Sequence, residues 1–292
     1  MIAKLVVIGV GLIGGSLACA LRKAGVVGEV VGVGRGLPNL ALAVELGVID
    51  RYNQDAASEV ADADVVVVGA TLGATANILK TIAPAVGAHT IVTDVGSTKA
   101  SVVAAARAAL GDKFSRFVPG HPIAGTEHSG AQAAFAELYC GHRVILTPVD
   151  ETDPQALARV RAMWEAAGAR VTHMSVTDHD RVLAATSHLP HMLAFTLVDM
   201  LAAADDADDI FAFAAGGFRD FTRIASSNPE MWRDIVLANR DALLDICAAY
   251  SERLERLTQA LRARDGRALE LSFARAKEAR DRCLVAEANA RR

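Results

Sequence analysis

The sequence predicts an α/β N-terminal domain with a doubly wound parallel sheet, residues 1–177, followed by an all-α domain, residues 178–292. In the first part, short apolar runs alternate with amphipathic segments, which is typical of parallel strands covered by helices on both faces. Beyond about residue 177 no strand-like run remains, and apolar residues recur at helical spacing. The length of 292 residues also suits two domains.

Local patterns predict the individual elements. The expected strands cover residues 5–8, 30–33, 65–68, 90–93, 117–118, 143–146 and 170–173. Helical patterns separate them, at residues 12–25, 40–46, 74–83, 99–109 and 154–167. In the C-terminal part we expect helices that break at Leu189-Pro190, Gly216-Gly217 and Asn228-Pro229, and then one long amphipathic helix from about Trp232.

Composition and charge exclude several classes of protein. Lys and Arg number 30 against 34 Asp and Glu, so the chain lacks the basic footprint of a nucleic-acid-binding protein. A hydrophobic fraction of 52% argues against intrinsic disorder. No apolar stretch reaches the roughly 20 residues of a membrane span, and no signal-peptide pattern is present. We therefore expect a cytoplasmic protein without nucleic-acid or membrane partners.

Nothing in the sequence predicts a metal site. The four cysteines are far apart in the sequence, and no two of them form a C-x-x-C pair. His188 and His191 are three residues apart, but no carboxylate or cysteine stands at an obvious ligand spacing from them.

A glycine-rich turn follows the first predicted strand and opens the first helix, with the spacing Gly9-x-Gly11-x-x-Gly14. The three glycines would permit the tight turn, the approach of a pyrophosphate and close helix–strand packing, in that order. Leu12 and Ile13 stand at the helix N-terminus, whose N–H groups favour an anion. The context predicts a Rossmann-like dinucleotide site, with a purely structural turn as the alternative.

The end of the second strand bears on the choice of dinucleotide. NAD-binding domains place Asp or Glu there to bind the ribose 2′-hydroxyl. This chain has Gly34-Arg35 instead, with no carboxylate before Glu45. An arginine in that place suits a 2′-phosphate, so we predict NADP, with NAD as the alternative. The alternative for Arg35 is that it is simply a surface residue in a turn. The predicted cofactor site also includes Thr71 and Gly96.

Polar residues follow two later strands, where open α/β sheets place their ligands. Ser97 lies in the segment Asp94-Val-Gly-Ser-Thr-Lys99, and His121 lies in a segment that reads as a Pro/Gly-fixed loop. A histidine there is a candidate acid–base group because its pKa lies near neutrality. In the helical part, Arg219 and Arg223 are candidates to bind a carboxylate.

Together these motifs resemble the prephenate/arogenate (cyclohexadienyl) dehydrogenase family of tyrosine biosynthesis. The first matching motif is generic, but the combination is specific and runs from residue 9 to 233 in family order. The matching segments are Gly11-Leu-Ile-Gly-Gly-Ser16, Asp94-Val-Gly-Ser-Thr-Lys99, His121-Pro-Ile-Ala-Gly-Thr-Glu127, Ser187-His-Leu-Pro-His191, Gly216-Gly-Phe-Arg-Asp-Phe-Thr-Arg223 and Met231-Trp-Arg233.

The resemblance implies an oxidative decarboxylation of prephenate or arogenate, to 4-hydroxyphenylpyruvate or tyrosine, with hydride transfer to NAD(P)+. It implies that His121 takes the proton of the substrate's ring hydroxyl and that Ser97 orients His121 and contacts the substrate. Arg223 would bind a substrate carboxylate. Three further residues would line the substrate pocket, namely His191, His188 and Glu127.

The resemblance also implies a homodimer formed through the helical domain and an active site in the cleft between the domains. The segment Gly34-Arg35 departs from the family's common Asp, which puts a preference for NAD in doubt. Some members carry a fused chorismate mutase or a regulatory ACT domain, and we expect neither here.

Two other functions remain open at this point. Another NADP-linked two-domain dehydrogenase, of the β-hydroxyacid type, would normally use a lysine of its helical domain, but between Gly168 and Arg292 the only lysine is Lys277. A non-catalytic nucleotide-sensing protein would keep the glycine-rich turn but has no need to retain Ser97, His121 and Arg223 together.

Overall fold

The computed structural model describes residues 1–126 and 128–290. The chain forms two compact units, Met1–Arg240 and Asp241–Arg292. The first unit contains both sheets and every candidate site residue in the described part of the chain. The predicted domain boundary after residue 177 stays a prediction.

Six parallel strands form the main sheet of the first unit. They are β1 (Ile2–Ile8), β2 (Val27–Val33), β3 (Arg51–Asn53), β4 (Val65–Val68), β5 (Ile91–Asp94) and β6 (Phe117–Val118). Their connecting helices are α1 (Leu12–Lys23), α2 (Leu37–Glu45), α3 (Ala56–Val60), α4 (Leu72–Ile82) and α5 (Ala100–Leu110). The spatial order β3-β2-β1-β4-β5-β6 changes direction between β1 and β4, where such sheets bind ligands. The predicted Rossmann-like, doubly wound class is confirmed.

The strands show no alternation of apolar and polar residues because both faces of the sheet are buried. All four residues of Val65–Val68 are buried. In β1, Leu5 and Val7 belong to one apolar cluster, and Val6 and Ile8 belong to the cluster on the other face. β-Branched residues pack well on such a pleated surface.

A separate three-stranded sheet contains β7 (Gly120–Ile123), β8 (Arg143–Leu146) and β9 (Arg170–His173), with α6 (Pro154–Ala166) between the last two. β7 pairs antiparallel with β8, which pairs parallel with β9. The strands expected at residues 143–146 and 170–173 are therefore present, but in this second sheet. The expected loop around His121 is wrong, since the residue lies in β7. Pro122 is tolerated there because β7 is an edge strand.

The rest of the first unit is helical. It contains α7 (Val176–Leu183), α8 (Leu189–Ala202), α9 (Ala207–Ala212), α10 (Gly216–Thr222) and α11 (Pro229–Ala238). The expected break at Leu189-Pro190 is wrong, because a π-helical turn, Ala184–His188, connects α7 to α8. Pro190 follows this turn as the second residue of α8, and it has no N–H to donate to the turn before it.

The second unit contains α12 (Arg240–Arg262), which begins at the end of the first unit, and α13 (Gly266–Ala290). The single long helix predicted from Trp232 is wrong, since Arg264 adopts a positive φ of 53° between α12 and α13. Several apolar side chains of these helices are exposed, among them Leu244, Leu254, Leu261, Leu271 and Phe273. No strand follows residue 177 in the described part, which confirms a helical C-terminal region. None of the described helices is both long and apolar enough to cross a membrane.

Candidate active site

The glycine-rich turn is packed tightly on one side and open on the other. Gly9 has a φ of +97°, and a Cβ atom there would lie 2.7 Å from the backbone of Gly69, after β4. A Cβ on Gly14 would lie 2.6 Å from the carbonyl oxygen of Gly9 and 2.7 Å from Val7 Cγ1. A Cβ on Gly11 would meet nothing within 4 Å. The turn therefore presents bare backbone to open space at Gly11.

That open space adjoins the N-terminus of α1. The helix begins at Leu12 after Gly11, with no side-chain cap among the described residues and no acidic residue in its first turn. Its first N–H groups and its dipole favour an anion there. The residues present therefore fit the pyrophosphate of a dinucleotide.

The other predicted cofactor residues follow carboxyl ends of strands in the same parallel sheet. Gly34 and Arg35 follow β2, Thr71 precedes α4 after β4, and Gly96 follows β5. Arg35 and Thr71 are exposed, and the carbonyl of Arg35 accepts a hydrogen bond from Gln54. Because the strands are parallel, these residues share one edge of the sheet with the glycine-rich turn.

A fully buried ion pair connects this edge to β7. Lys99 Nζ lies 2.5 Å from Asp94 Oδ2, and the two side chains are 0% and 1% exposed. Lys99 Nζ also donates to the carbonyl of Gly120 at 2.6 Å, while the N–H of Gly120 donates to Asp94 Oδ1 at 3.1 Å. Burial lowers the pKa of Lys99, and the carboxylate of Asp94 opposes that shift. The ion pair thus fixes the residue directly before His121.

His121 itself belongs to a chain of three hydrogen-bonded side chains, His121–His179–Asp180. His121 Nδ1 lies 2.9 Å from His179 Nε2, and His179 Nδ1 lies 2.8 Å from Asp180 Oδ1. The same carboxylate accepts the N–H groups of Lys99 and Ala100, each at 2.8 Å. Burial acts to raise the pKa of Asp180, but the hydrogen bonds from His179, Ala100 and Lys99 outweigh it and hold that pKa below its usual range.

The surroundings of His121 favour its neutral form. Burial lowers its pKa well below the usual value, and the nearby charge of Lys99 lowers it further. A neutral imidazole near pH 7 is able to accept a proton, so His121 suits the role of a general base.

Asn239 extends this network to His188. Its Nδ2 donates to the carbonyl of Asp180 at 2.8 Å and to His188 Nδ1 at 3.0 Å. His188 is 1% exposed, and burial lowers its pKa to about 4 against the opposing charge of Asp180. His188 therefore lies in the π-helical turn as a neutral, hydrogen-bonded group.

His191 lies one helical turn further along, in α8. Its ring stacks on Trp232 with centroids 3.7 Å apart, and its Nδ1 donates to the carbonyl of Ser187 at 2.8 Å. Burial lowers the pKa of His191, the bond to Ser187 opposes this, and the nearby charge of Arg223 lowers it further. Arg223 is exposed, in the turn after α10. These residues form a half-buried surface with a cation beside it.

Two predicted residues remain, Ser97 and Glu127. Ser97 is half-buried just before Lys99, and among the described residues the hydrogen bond recorded for His121 goes to His179 and none goes to Ser97. Glu127 lies outside the described residues. The described part of the chain also contains no cluster of three or more metal-ligating side chains.

Sequence reasoning missed His179, Asp180 and Asn239. A signal for the first two was present, since Ser175 caps α7 and the helix then places His179 and Asp180 with Leu183 among its buried residues. Polar residues on the buried face of a helix need partners, which makes them candidates for a network. The partners themselves come from distant parts of the chain.

Comparison with known proteins identifies the family. A family model for the nucleotide-binding domain of prephenate dehydrogenase matches residues 17–173, and one for its dimerization domain matches residues 175–275. The chain belongs to the prephenate dehydrogenase family. Members of this family are oxidoreductases that use NAD(P).

Similar proteins carry related names. Cyclohexadienyl dehydrogenase of Zymomonas mobilis is 37% identical, over 94% of each chain. Prephenate dehydrogenase of Bacillus subtilis is also 37% identical, over 94% of this chain and 74% of that protein. The structure of prephenate dehydrogenase from Aquifex aeolicus, in complex with hydroxyphenyl propionate and NAD+, matches with a TM-score of 0.90 and 36% identity, covering 97% of this chain and 99% of that one.

The buried ion pair yields a stability prediction. Changing Lys99→Met leaves the carboxylate of Asp94 buried without its cation, so we expect the free energy of unfolding to fall by about 3–5 kcal/mol in chemical denaturation. The matched control is Lys23→Met, whose exposed pair with Glu137 should contribute little to the free energy of unfolding. Equal small losses in both variants would contradict the account of the ion pair.

His188 yields a prediction for pH. In the unfolded chain its pKa is about 6.5, whereas in the folded protein it is about 4. The unfolded state therefore binds a proton first, and stability falls as pH drops from about 6.5 to about 4. We expect His188→Phe to remove about 3 kcal/mol of this pH dependence, measured by denaturation across that range. The control His89→Phe alters an exposed ring, and an unchanged pH dependence in His188→Phe would refute the prediction.

Proposed function

We propose that this chain catalyses the oxidative decarboxylation of prephenate, arogenate or both, with hydride transfer to NAD(P)+. The observation that carries the proposal is His121, a neutral imidazole fixed beside the carboxyl edge of a dinucleotide-binding sheet. The names of the relatives support the substrate class. The solved structure of Synechocystis arogenate dehydrogenase, 31% identical with a TM-score of 0.79 and covering 96% of this chain and 99% of that one, supports keeping arogenate beside prephenate.

The chemistry suits these residues. The substrate ring carries a hydroxyl on the carbon that loses hydride, and a ring carboxylate that leaves as carbon dioxide. His121 accepts the hydroxyl proton as the carbon–hydrogen bond breaks, and the nicotinamide supplies the hydride acceptor when bound. Loss of carbon dioxide then leaves an aromatic ring with a negatively charged oxygen, which takes the proton back from His121. This chain's own residues therefore need only bind, orient and move one proton.

The remaining site residues have supporting roles in this proposal. Arg223 binds a carboxylate of the substrate, since a guanidinium matches that group in charge and geometry. Ser97 contacts the substrate next to His121. The residues proposed to line the substrate pocket are His188, His191 and Glu127.

The family assignment favours this function over the two alternatives. A β-hydroxyacid dehydrogenase would need a lysine in the helical part, whereas Lys99, which contacts Gly120 beside His121, is buried in an ion pair. A sensor would not need His121 to be held as a neutral base.

For the cofactor we propose NADP, bound at the edge of the main sheet. Arg35 is exposed directly after β2, where a 2′-phosphate needs a cation and where Gly34 offers no competing carboxylate. The other residues proposed to contact the dinucleotide are Gly9, Gly11, Leu12, Ile13, Gly14, Thr71 and Gly96.

We further propose a cytoplasmic homodimer, formed through a helical domain of residues 178–292. The matched dimerization-domain model and the exposed apolar side chains of α12 and α13 support this assembly. Burying such side chains against a second copy would be favourable.

The proposed role of His121 is tested by His121→Asn. Loss of the base should lower turnover of prephenate or arogenate by about 10²–10⁴-fold, the usual range for general acid–base catalysis, while dinucleotide affinity changes little. Steady-state kinetics and dinucleotide titration measure the two quantities, with the exposed His89→Asn as control. Unchanged turnover would remove His121 from the mechanism.

The proposed role of Arg35 is tested by Arg35→Ala. Loss of a charged hydrogen bond to the 2′-phosphate should weaken NADP by about 10–100-fold, and NAD by no more than about threefold. Titration with both dinucleotides measures this, and Arg143→Ala, which removes an exposed arginine from the other sheet, is the control. Equal losses for both dinucleotides would make Arg35 only a turn residue.

A further inference from the structure

We propose that His179 and Asp180 are positioning residues that hold the single N–H of neutral His121 on Nδ1, so that Nε2 is the atom that takes the substrate proton. The assignment of the proton acceptor rests on the proposed function. The assignment of the tautomer rests on the contacts of the His121–His179–Asp180 chain with a neutral His179.

Both carboxylate oxygens of Asp180 accept hydrogen bonds. Its Oδ1 accepts from Lys99 N and faces His179 Nδ1, and its Oδ2 accepts from Ala100 N. These N–H groups lie at the start of α5, where the helix dipole stabilises a negative charge. An ionised carboxylate only accepts hydrogen bonds. The hydrogen between Asp180 and His179 therefore belongs to His179 Nδ1.

The ring of His179 connects Asp180 to His121. When His179 is neutral, its one N–H is on Nδ1, and Nε2 is left as an acceptor. His121 Nδ1 lies 2.9 Å from it, and two acceptors would repel at that distance. Nδ1 of His121 must therefore carry the hydrogen, which leaves the lone pair on Nε2.

This tautomer matters for the chemistry. When the substrate's O–H bond breaks and an Nε2–H bond forms, His121 becomes a cation that still carries its Nδ1–H. The hydrogen bond from Nδ1 to His179 then becomes charge-assisted, and Asp180 supplies the compensating negative charge beyond it. With the opposite tautomer Nε2 would already carry a hydrogen and would have no lone pair to offer.

The same contacts place the candidate residue Ser97. Asp180 binds the N–H groups of Lys99 and Ala100, two and three residues after Ser97 in the chain. His121 and the Ser97 segment are thus attached to the same carboxylate, one through His179 and the other through the backbone.

Two substitutions of the fully buried His179 separate this role from simple packing. His179→Gln keeps an acceptor for His121 and a donor for Asp180, whereas His179→Phe fills the space with neither. We expect His179→Phe to lower kcat by about 10²–10⁴-fold, as loss of the correct tautomer does in other enzymes. KM should change by no more than about threefold, because the effect lies in the transition state. His179→Gln should restore kcat to within about tenfold of the unaltered enzyme.

Equal kcat in the two variants and the unaltered enzyme would overturn the proposal. The folding of each variant is checked by circular dichroism and by dinucleotide titration. A shared loss of kcat in both variants, with folding and dinucleotide affinity retained, would also count against it.

A measurement on the unaltered protein decides the tautomer whether or not the variants fold. With ¹⁵N-labelled histidine, one-bond ¹⁵N–¹H couplings show which ring nitrogen carries the hydrogen, and His121→Asn identifies the signals of His121. We expect the hydrogen on Nδ1 at neutral pH, and a hydrogen on Nε2 would overturn the proposal. This readout needs no turnover, so it tests the tautomer independently of the proposed function. Failure of the proposed function would instead appear as inactivity toward both prephenate and arogenate.

Discussion

The ion pair between Lys99 and Asp94 lies entirely away from solvent at the carboxyl end of β5. Two charges are tolerated in such a place only when their remaining hydrogen-bonding groups are also satisfied. Gly120 provides this on both sides, with its carbonyl to Lys99 and its N–H to Asp94. The first residue of β7 is consequently held at the edge of the parallel sheet, and His121 follows it. The position of the proposed base thus depends on a buried electrostatic contact.

A second carboxylate brings the helical part to the same place. Asp180 binds the backbone at the start of α5, contacts His121 through His179, and accepts from Asn239 through its own carbonyl. Asn239 in turn fixes His188. Helices that follow the sheet in the chain are therefore tied to it by polar contacts. Such a network is stable only when all its members have partners, which favours one arrangement of the site.

The sequence allowed much of this structure to be predicted, because the deciding patterns were local. The apolar run Val65–Val68 and the glycine-rich turn each carry their own signal. β7 was missed because a strand with Pro122 reads as a loop, and only its position at a sheet edge makes it possible. His179 was missed because its partners, His121 and Asp180, come together only in the folded chain. The complete burial of Lys99 was equally hidden, since lysine is almost always exposed unless paired.

The measurement that tests the account most directly is a four-way assay, with prephenate or arogenate as substrate and NAD+ or NADP+ as acceptor. It follows the reduced nicotinamide by its absorbance and the carbon dioxide released. The account predicts turnover of at least one substrate, faster with NADP+, and one carbon dioxide for each dinucleotide reduced. If all four combinations are inactive while a dinucleotide still binds, the proposed chemistry is contradicted and the glycine-rich turn serves a different function.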